Sequence, residues 1–86
     1  MASYSLTFKP SVLKDLRKLS GDAVERVYAR IEGLAGDPFP PGVVKLSGAE
    51  RLYRIRVGDY RVSYEVDSAE EAITVQYVRH RRDAYR

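Results

Sequence analysis

Hydrophobic residues in the first part of the chain recur with the period of a helix. After a short alternating segment at 4–8, which predicts a strand, Pro10 suits the first turn of a helix. Asp22, with Glu25 three residues later, is the expected N-cap of a second helix that ends near Gly36. Both apolar stripes are typical of a helical hairpin packed on a sheet. Their members are Val12, Leu13, Leu16 and Leu19 in the first helix and Val24, Val27, Tyr28, Ile31, Leu34 and Ala35 in the second.

The remainder of the chain predicts a turn-rich connector followed by three strands. Residues 36–50 contain three Pro and three Gly, with a short extended piece expected at 43–46. Residues 52–57, 60–66 and 72–79 then alternate between apolar and polar side chains. This order predicts an α+β fold, in which an N-terminal strand and a two-helix hairpin accompany a small antiparallel sheet with the helices on one face.

A two-residue loop at Gly58 and Asp59 determines how the strands around it are expected to pair. With glycine in the first position, the loop indicates a type II′ turn, which sets Val57 opposite Tyr60. Because side chains alternate along a strand, apolar and arginine side chains then separate onto opposite faces of the sheet. The expected apolar face contains Tyr53, Ile55, Val57, Tyr60, Val62, Tyr64, Val66, Ile73, Val75 and Tyr77, and the other face Arg54, Arg56, Arg61, Ser63, Glu65 and Gln76.

The arginine side chains of the hairpin predict an anion-binding face. The expected register puts Arg56 directly opposite Arg61, and like charges in that position oppose the ~0.2–1 kcal/mol that a favourable cross-strand pair contributes. An anion between the guanidinium groups would explain the arrangement, because the planar fork of arginine matches phosphate. The alternative is an ordinary solvated polar face that is partly balanced by Glu65.

Charge and composition narrow the classes of function. The net charge is only +3, but residues 51–86 hold eight Arg and no Lys, whereas residues 1–50 hold four Lys and three Arg. The lack of Cys and the single His argue against disulfides, cysteine nucleophiles and zinc sites. Residues 1–86 are expected to form a single domain. Without a signal sequence or a membrane-length apolar run, the protein is expected in the cytoplasm with no membrane partner.

The end of the chain adds basic groups and two candidates for proton transfer after the last strand. Residues 79–86 contain four Arg, His80 and Tyr85. Such a tail is often a solvated terminus, but this one leaves a strand beside the arginine face and is placed to close over it. A lone histidine is more often a surface residue than a catalyst. Positive charge nearby would favour the phenolate of Tyr85 and make it a usable base.

Two segments resemble the RelE/ParE superfamily of bacterial and archaeal toxins, on the RelE side. They are the hairpin LYRIRVGDYRVSYEV at 52–66 and the tail VRHRRDAYR at 78–86, and the helix LKDLRKL at 13–19 also fits. The resemblance covers essentially the whole chain. It implies a toxin of a type II toxin–antitoxin module, a ribosome-dependent endoribonuclease that cuts mRNA in the ribosomal A site. It also implies a cognate, RelB-like antitoxin as partner.

The resemblance further implies a reaction without metal or cofactor. A base helps the RNA 2′-hydroxyl attack the adjacent phosphate, cations stabilise the transition state, and an acid protonates the leaving oxygen. The best-studied bacterial members carry Lys where this chain has Arg54 and Arg56, which cannot give up a proton and should act as electrostatic clamps. The catalytic candidates carried over are Arg61, Arg81 and Tyr85, and the RNA-binding candidates are Arg54, Arg56, Arg79 and Arg82.

Two other functions are compatible with the same residues. A ParE-like inhibitor of DNA gyrase would use the same fold through protein contacts, and it needs neither phosphate-binding arginines nor a terminal tyrosine. A non-catalytic RNA-binding module would bind weakly and with strong salt dependence, without cleavage.

Overall fold

The computed structural model describes residues 3–46, 48 and 51–82, and it shows two helices on one face of a five-stranded sheet. The elements are β1 (Ser5–Phe8), α1 (Pro10–Arg17), α2 (Gly21–Leu34), β2 (Val44–Lys45), β3 (Leu52–Val57), β4 (Tyr60–Asp67) and β5 (Ala72–His80). The strand order is β1-β5-β4-β3-β2, so β1 and β2 form opposite edges and the helices carry the chain across the sheet. The predicted α+β class is confirmed.

The sheet is mixed rather than wholly antiparallel. β1 pairs in parallel with β5, from Ser5 opposite Ala72 to Phe8 opposite Val75, whereas the other neighbouring strands are antiparallel. Short turns set the relative directions of β3, β4 and β5, but no turn joins β1 to its neighbour. The alternating side chains at 4–8 therefore predicted that β1 is a strand, but they did not predict that β1 pairs in parallel with its neighbour.

Local chemistry explains where each helix begins. Pro10 is in the first turn of α1, where an N–H has no partner within the helix. The N-cap of α2 is Ser20, whose hydroxyl oxygen accepts a hydrogen bond from the backbone N–H of Ala23 at 3.3 Å. The predicted N-cap, Asp22, was wrong. Its carboxylate lies instead in the first turn, where it interacts favourably with the helix dipole.

The core lies between the helices and the inner face of the sheet. Leu13 and Tyr28 were expected in the apolar stripes, but their side chains are 55% and 45% exposed. Each is the immediate neighbour of a residue that does face the sheet, Val12 or Val27, and a helix turns about 100° per residue. Among the described residues, no helix is long and apolar enough to cross a bilayer. The core cluster consists of Val12, Val27, Ile31, Leu34, Ile55, Val57, Val62, Tyr64, Val66, Ile73, Val75 and Val78.

The connector between α2 and β2 is held from inside the core. The hydroxyl of the fully buried Tyr64 donates a hydrogen bond to the carbonyl oxygen of Pro38 at 2.7 Å. Burial, with a smaller contribution from Asp37, raises the pKa of Tyr64 to about 12, so the phenol stays protonated at neutral pH. The ring of Phe39 meets that of Tyr53 edge-on, with centroids 4.9 Å apart, and fixes the same connector against β3.

Candidate functional site

The β3–β4 hairpin has the predicted register and loop. Val57 lies opposite Tyr60 and Arg56 opposite Arg61, as predicted, and the loop contains only Gly58 and Asp59. Gly58 has a φ of +59° while the φ of Asp59 is not positive, which agrees with a type II′ turn and excludes type I′. Turn chemistry therefore places the arginines of both strands on the side of the sheet that faces away from the helices.

A β-bulge interrupts the pairing of β5 with β4. Tyr64 pairs with Val75, but the preceding Ser63 pairs with Tyr77, so Gln76 is an extra residue in β5. The bulge changes which later residues of β5 face the core. The predicted core position of Tyr77 was therefore wrong, because a pattern of period two does not reveal an inserted residue.

The bulge completes a row of three arginines across the sheet, here called the arginine row. Arg61 of β4 lies opposite Arg56 on one side and opposite Arg79 on the other. Directly opposed residues have Cα atoms about 4.5–5.5 Å apart, so the row is only about 10 Å long. Arg56 and Arg79 are exposed, and Arg61 is half-buried. Like charges in directly opposed positions weaken strand pairing, and an anion between the guanidinium groups would offset that effect.

A second row on the same face combines one arginine with an aromatic ring. Ser63 lies between Arg54 and Tyr77, and the exposed Val44 continues the row to the edge of the sheet. Ser63 is only 1% exposed, because its side chain is shorter than those around it. The guanidinium of Arg79 lies over the ring of Tyr77, with Cζ 4.0 Å from the ring centroid. This stack joins the two rows.

The tail continues from Arg79, which is the end of the arginine row that lies on β5. The backbone N–H of Arg81 donates to the carbonyl oxygen of Asp59 at 2.7 Å, which keeps the chain attached to the loop beyond β5. The N–H of Arg82 donates to Nδ1 of His80 at 3.2 Å, and the side chains of Arg81 and Arg82 are exposed. Tyr85, predicted as a catalytic residue, lies outside the described residues.

A cavity of about 340 Å³ lies between α1 and the end of β5, and Arg79 of the arginine row is part of its lining. The carboxylate Oδ2 of Asp15 accepts a hydrogen bond from the N–H of Val78 at 3.0 Å, where β1 no longer covers the edge of β5. The rings of His80 and Tyr60 meet edge-on, with centroids 5.2 Å apart. The sequence did not single out Asp15, because this contact depends on how α1 docks. The lining is Asp15, Lys18, Leu19, Tyr60, Val78, Arg79 and His80.

The described part of the site offers cationic and aromatic groups. Guanidinium groups bind phosphate through charge-assisted hydrogen bonds, and both they and phenol rings stack on planar ligands. Within 3–46, 48 and 51–82, no group of three or more His, Cys, Asp or Glu side chains is arranged to hold a metal ion.

Comparison with known proteins finds toxins over nearly the whole chain. A family model described as the ParE toxin of the type II toxin–antitoxin system parDE matches residues 6–85. Toxin RelE3 of Methanocaldococcus jannaschii is 30% identical over 82 residues, which is 91% of each chain. The match to the family model therefore includes the hairpin at 52–66 and all but the last residue of the tail at 78–86.

Solved structures share the fold. A chain in the crystal structure of the archaeal RelE–RelB complex from Pyrococcus horikoshii superposes with a TM-score of 0.83 and 31% identity, covering 92% of this chain and 96% of that chain. A chain in the intact RelBE toxin–antitoxin complex of E. coli gives a TM-score of 0.77 and 27% identity, covering 88% and 94%. The five-stranded sheet with two helices on one face is therefore common to these proteins.

Proposed function

Because this chain belongs to the RelE/ParE superfamily of toxins from type II toxin–antitoxin systems, we propose that it is an endoribonuclease that cuts mRNA in the ribosomal A site. Proteins that share a fold can have different activities, so the fold alone does not identify the reaction. The observation that supports cleavage of a phosphodiester is the arginine row, which sets three guanidinium groups within about 10 Å of one another on one face.

The proposed reaction uses a base, an acid and fixed cations, and it involves no metal or cofactor. The RNA 2′-hydroxyl loses its proton to a base and attacks the adjacent phosphorus, and the bond to the 5′-oxygen breaks as that oxygen takes up a proton. The products are a 2′,3′-cyclic phosphate and a free 5′-hydroxyl. The phosphorane between these steps carries extra negative charge, which fixed cationic donors stabilise more than they stabilise the substrate.

The proposed role of the arginines is to stabilise the negative charge that develops during this reaction. Arg61 is central in the arginine row and is assigned to the reacting phosphate, while Arg56 and Arg79 flank it. Arg81 is the first residue after β5, lies beside the hairpin loop and is assigned to the same charge. Guanidinium groups stay protonated at all physiological pH values, so proton transfer requires another group, and the proposal assigns the role of base to Tyr85.

We further propose a cognate antitoxin of the RelB type as partner. The solved relatives from P. horikoshii and E. coli are complexes of RelE with RelB. An acidic segment lying on the exposed side chains of Arg56, Arg79 and Arg81 would neutralise the face on which cleavage is proposed. Action on ribosomes implies that the protein works in the cytoplasm.

Cleavage of a defined messenger on programmed ribosomes tests the proposal. Wild-type protein is expected to cut the messenger, and Arg61→Ala to cut it about 10²–10³-fold more slowly, the loss typical of one fixed charge-stabilising donor. Arg81→Ala and Tyr85→Phe are expected to lose activity as well. Arg17→Ala removes an exposed arginine of α1 and is the matched control that retains full activity. Intact messenger with the wild type, or equal rates in all variants, would overturn the proposal.

A gyrase inhibitor is the second candidate, because the matching family model is described by the ParE toxin. Such a toxin acts by protein contact and does not require the arginine row. Double-strand breaks that accumulate with purified gyrase, and accumulate equally with Arg61→Ala, would favour this candidate. RNA binding that is strongly salt-dependent and unaccompanied by cleavage or breaks would indicate a non-catalytic RNA-binding module.

A further inference from the structure

The proposed reaction leaves Tyr77 without a role, although the β-bulge turns its side chain onto the arginine face. The guanidinium of Arg79 covers this ring at 4.0 Å from Cζ to the centroid, which is contact distance for a cation on an aromatic face. We propose that Tyr77 and Arg79 form a stacking platform for an unpaired base of the RNA. This inference rests on the proposed function, because it assumes an RNA substrate on the arginine row.

The position of Tyr77 suits a base whose phosphate is held by the arginine row. Tyr77 lies opposite Ser63, and Ser63 is two residues along β4 from Arg61. Two residues of a strand span about 7 Å, so the ring lies one row away from the phosphate-binding groups. A base is joined to its phosphate through the ribose and projects away from it. A phosphate at Arg61 thus brings a base within reach of the platform.

The β-bulge determines which residue of β5 enters the core and which one joins the arginine face. An inserted residue disrupts the hydrogen-bond ladder, and bulges often re-aim side chains beside functional sites. Without the insertion of Gln76, regular alternation would turn Tyr77 towards the helices and Val78 away from them. With the insertion, Val78 is buried and Tyr77 joins the face that carries Arg61 and Arg79.

The stack also orders its members before any RNA binds. An exposed arginine normally loses rotamer freedom on binding, but the guanidinium of Arg79 already rests on the ring of Tyr77. Bases of unpaired RNA stack on both aromatic rings and guanidinium planes, and every base has a π-face. The platform should therefore strengthen binding of single strands with little preference among the four bases.

Binding of an RNA that cannot be cleaved tests the platform separately from catalysis. The probe is a fluorescent single-stranded RNA with 2′-O-methyl riboses, which lack the nucleophilic hydroxyl. One form of the probe is intact, and each member of a series lacks the base at one different position. Binding is measured at low salt, where phosphate contacts are strongest. For wild-type protein, one abasic position should weaken binding about 5- to 150-fold, the range for one base stacked on protein. Tyr77→Leu should weaken binding of the intact strand similarly and remove the abasic effect.

Three further variants make the test specific to the ring. Tyr77→Phe keeps the ring and should match the wild type, and Tyr77→Val repeats the loss with a residue that favours strands, in case Tyr77→Leu does not fold. Tyr28→Leu makes the same change on the helical side, where the ring is 45% exposed. This variant should bind the intact strand as tightly as the wild type does, and an abasic position should still weaken its binding. Thermal unfolding confirms that each variant is folded.

The outcomes separate the platform from the proposed reaction. The platform is overturned if the wild type binds intact and abasic strands equally or binds neither of them. It is also overturned if folded Tyr77→Val still binds the abasic strand more weakly than the intact one. Either result counts even if the wild type cuts messenger on ribosomes. An abasic effect that depends on Tyr77 supports the platform. If that effect occurs in a protein that does not cut messenger, the proposed reaction fails and the platform stands.

Discussion

The two faces of the β3–β4 hairpin use adjacent residues for opposite purposes. Ile55 and Val62 are almost completely buried in the core, and their immediate neighbours Arg56 and Arg61 lie on the other face. Burying one aliphatic side chain stabilises the fold by about 1.5–3 kcal/mol, whereas opposed arginines weaken the same strand pair. The comparison indicates that one face stabilises the fold and that the other holds opposed charges at some cost in stability.

The largest expected effect comes from Ile55→Ala on the core face. Loss of this side chain, which is 1% exposed, should lower the free energy of unfolding by about 2–5 kcal/mol through lost burial and a residual cavity. That is a large fraction of the total for a domain of this size, usually ~5–15 kcal/mol. Urea unfolding measures the loss. Cleavage per folded molecule should be unchanged.

Arg56→Ala, one residue further along β3, is the matched control on the arginine face. It should leave the urea midpoint nearly unchanged, because relief of the opposed charge offsets the weak strand preference of alanine. It should also lose cleavage, which is the reverse of the result for Ile55→Ala. If Ile55→Ala and Arg56→Ala shift the urea midpoint equally, stability and function are not divided between the two faces of the hairpin.

Tyr64→Phe sharpens the comparison because it changes one polar atom on the core face. The variant leaves the carbonyl oxygen of Pro38 without its donor, so the free energy of unfolding should fall by about 1–3 kcal/mol. The folded-state pKa of about 12 lies above the ordinary value of 10.0, so this hydroxyl contributes stability that is complete below pH 10 and declines as pH rises towards 12. Tyr64→Phe should lack that decline, which urea unfolding across this pH range measures.

The exposed Tyr28 supplies the control for this titration. Tyr28→Phe should keep the alkaline decline that belongs to Tyr64. An identical pH profile in wild type and Tyr64→Phe would contradict the assignment. Cleavage at neutral pH should persist in both variants, because neither ring is on the arginine face.

The sequence predicted the two faces of the hairpin but only part of the site. Gly58 at the first loop position fixes a local turn, and a local turn sets the pairing of Arg56 with Arg61 without knowledge of the rest of the fold. The placement of Arg79 opposite Arg61 depends on a bulge, which leaves no mark in a period of two. Tyr77 was assigned to the core for the same reason. The local turn therefore predicted the pairing of Arg56 with Arg61, whereas the position of Arg79 in the arginine row became known only from the pairing of β4 with β5.

Helix positions show the same division between local and tertiary information. The apolar spacing predicted both helices, yet Leu13 is exposed because the stripe that meets the sheet is narrower than the set of apolar residues. Ser20 caps α2 through its own hydroxyl, and a second acceptable cap at Asp22 made the sequence ambiguous. The parallel direction of β1 depends on contacts that no local turn encodes.

The smallest expected effect is a gain in stability from Arg56→Thr. Threonine favours strands and removes one of two opposed charges, so the free energy of unfolding should rise by part of the ~0.2–1 kcal/mol typical of cross-strand pairs. For a domain of this size, 1 kcal/mol raises Tm by about 4–8 °C, which calorimetry resolves. The gain should shrink in 1 M salt, where charges are screened beyond about 3 Å. RNA affinity should fall, with a salt slope smaller by about 1.

Arg51→Thr is the matched control because Arg51 pairs with Asp67 at 3.4 Å and is not part of the arginine row. It should not raise Tm and should leave RNA binding nearly unchanged. A gain in Tm from Arg56→Thr together with a loss of RNA affinity would show that the opposed arginines are kept for their ligand, against the stability of the strands that carry them. No gain at low salt would instead mean that the arginine row does not weaken the hairpin, and a bound anion would no longer be needed to explain it.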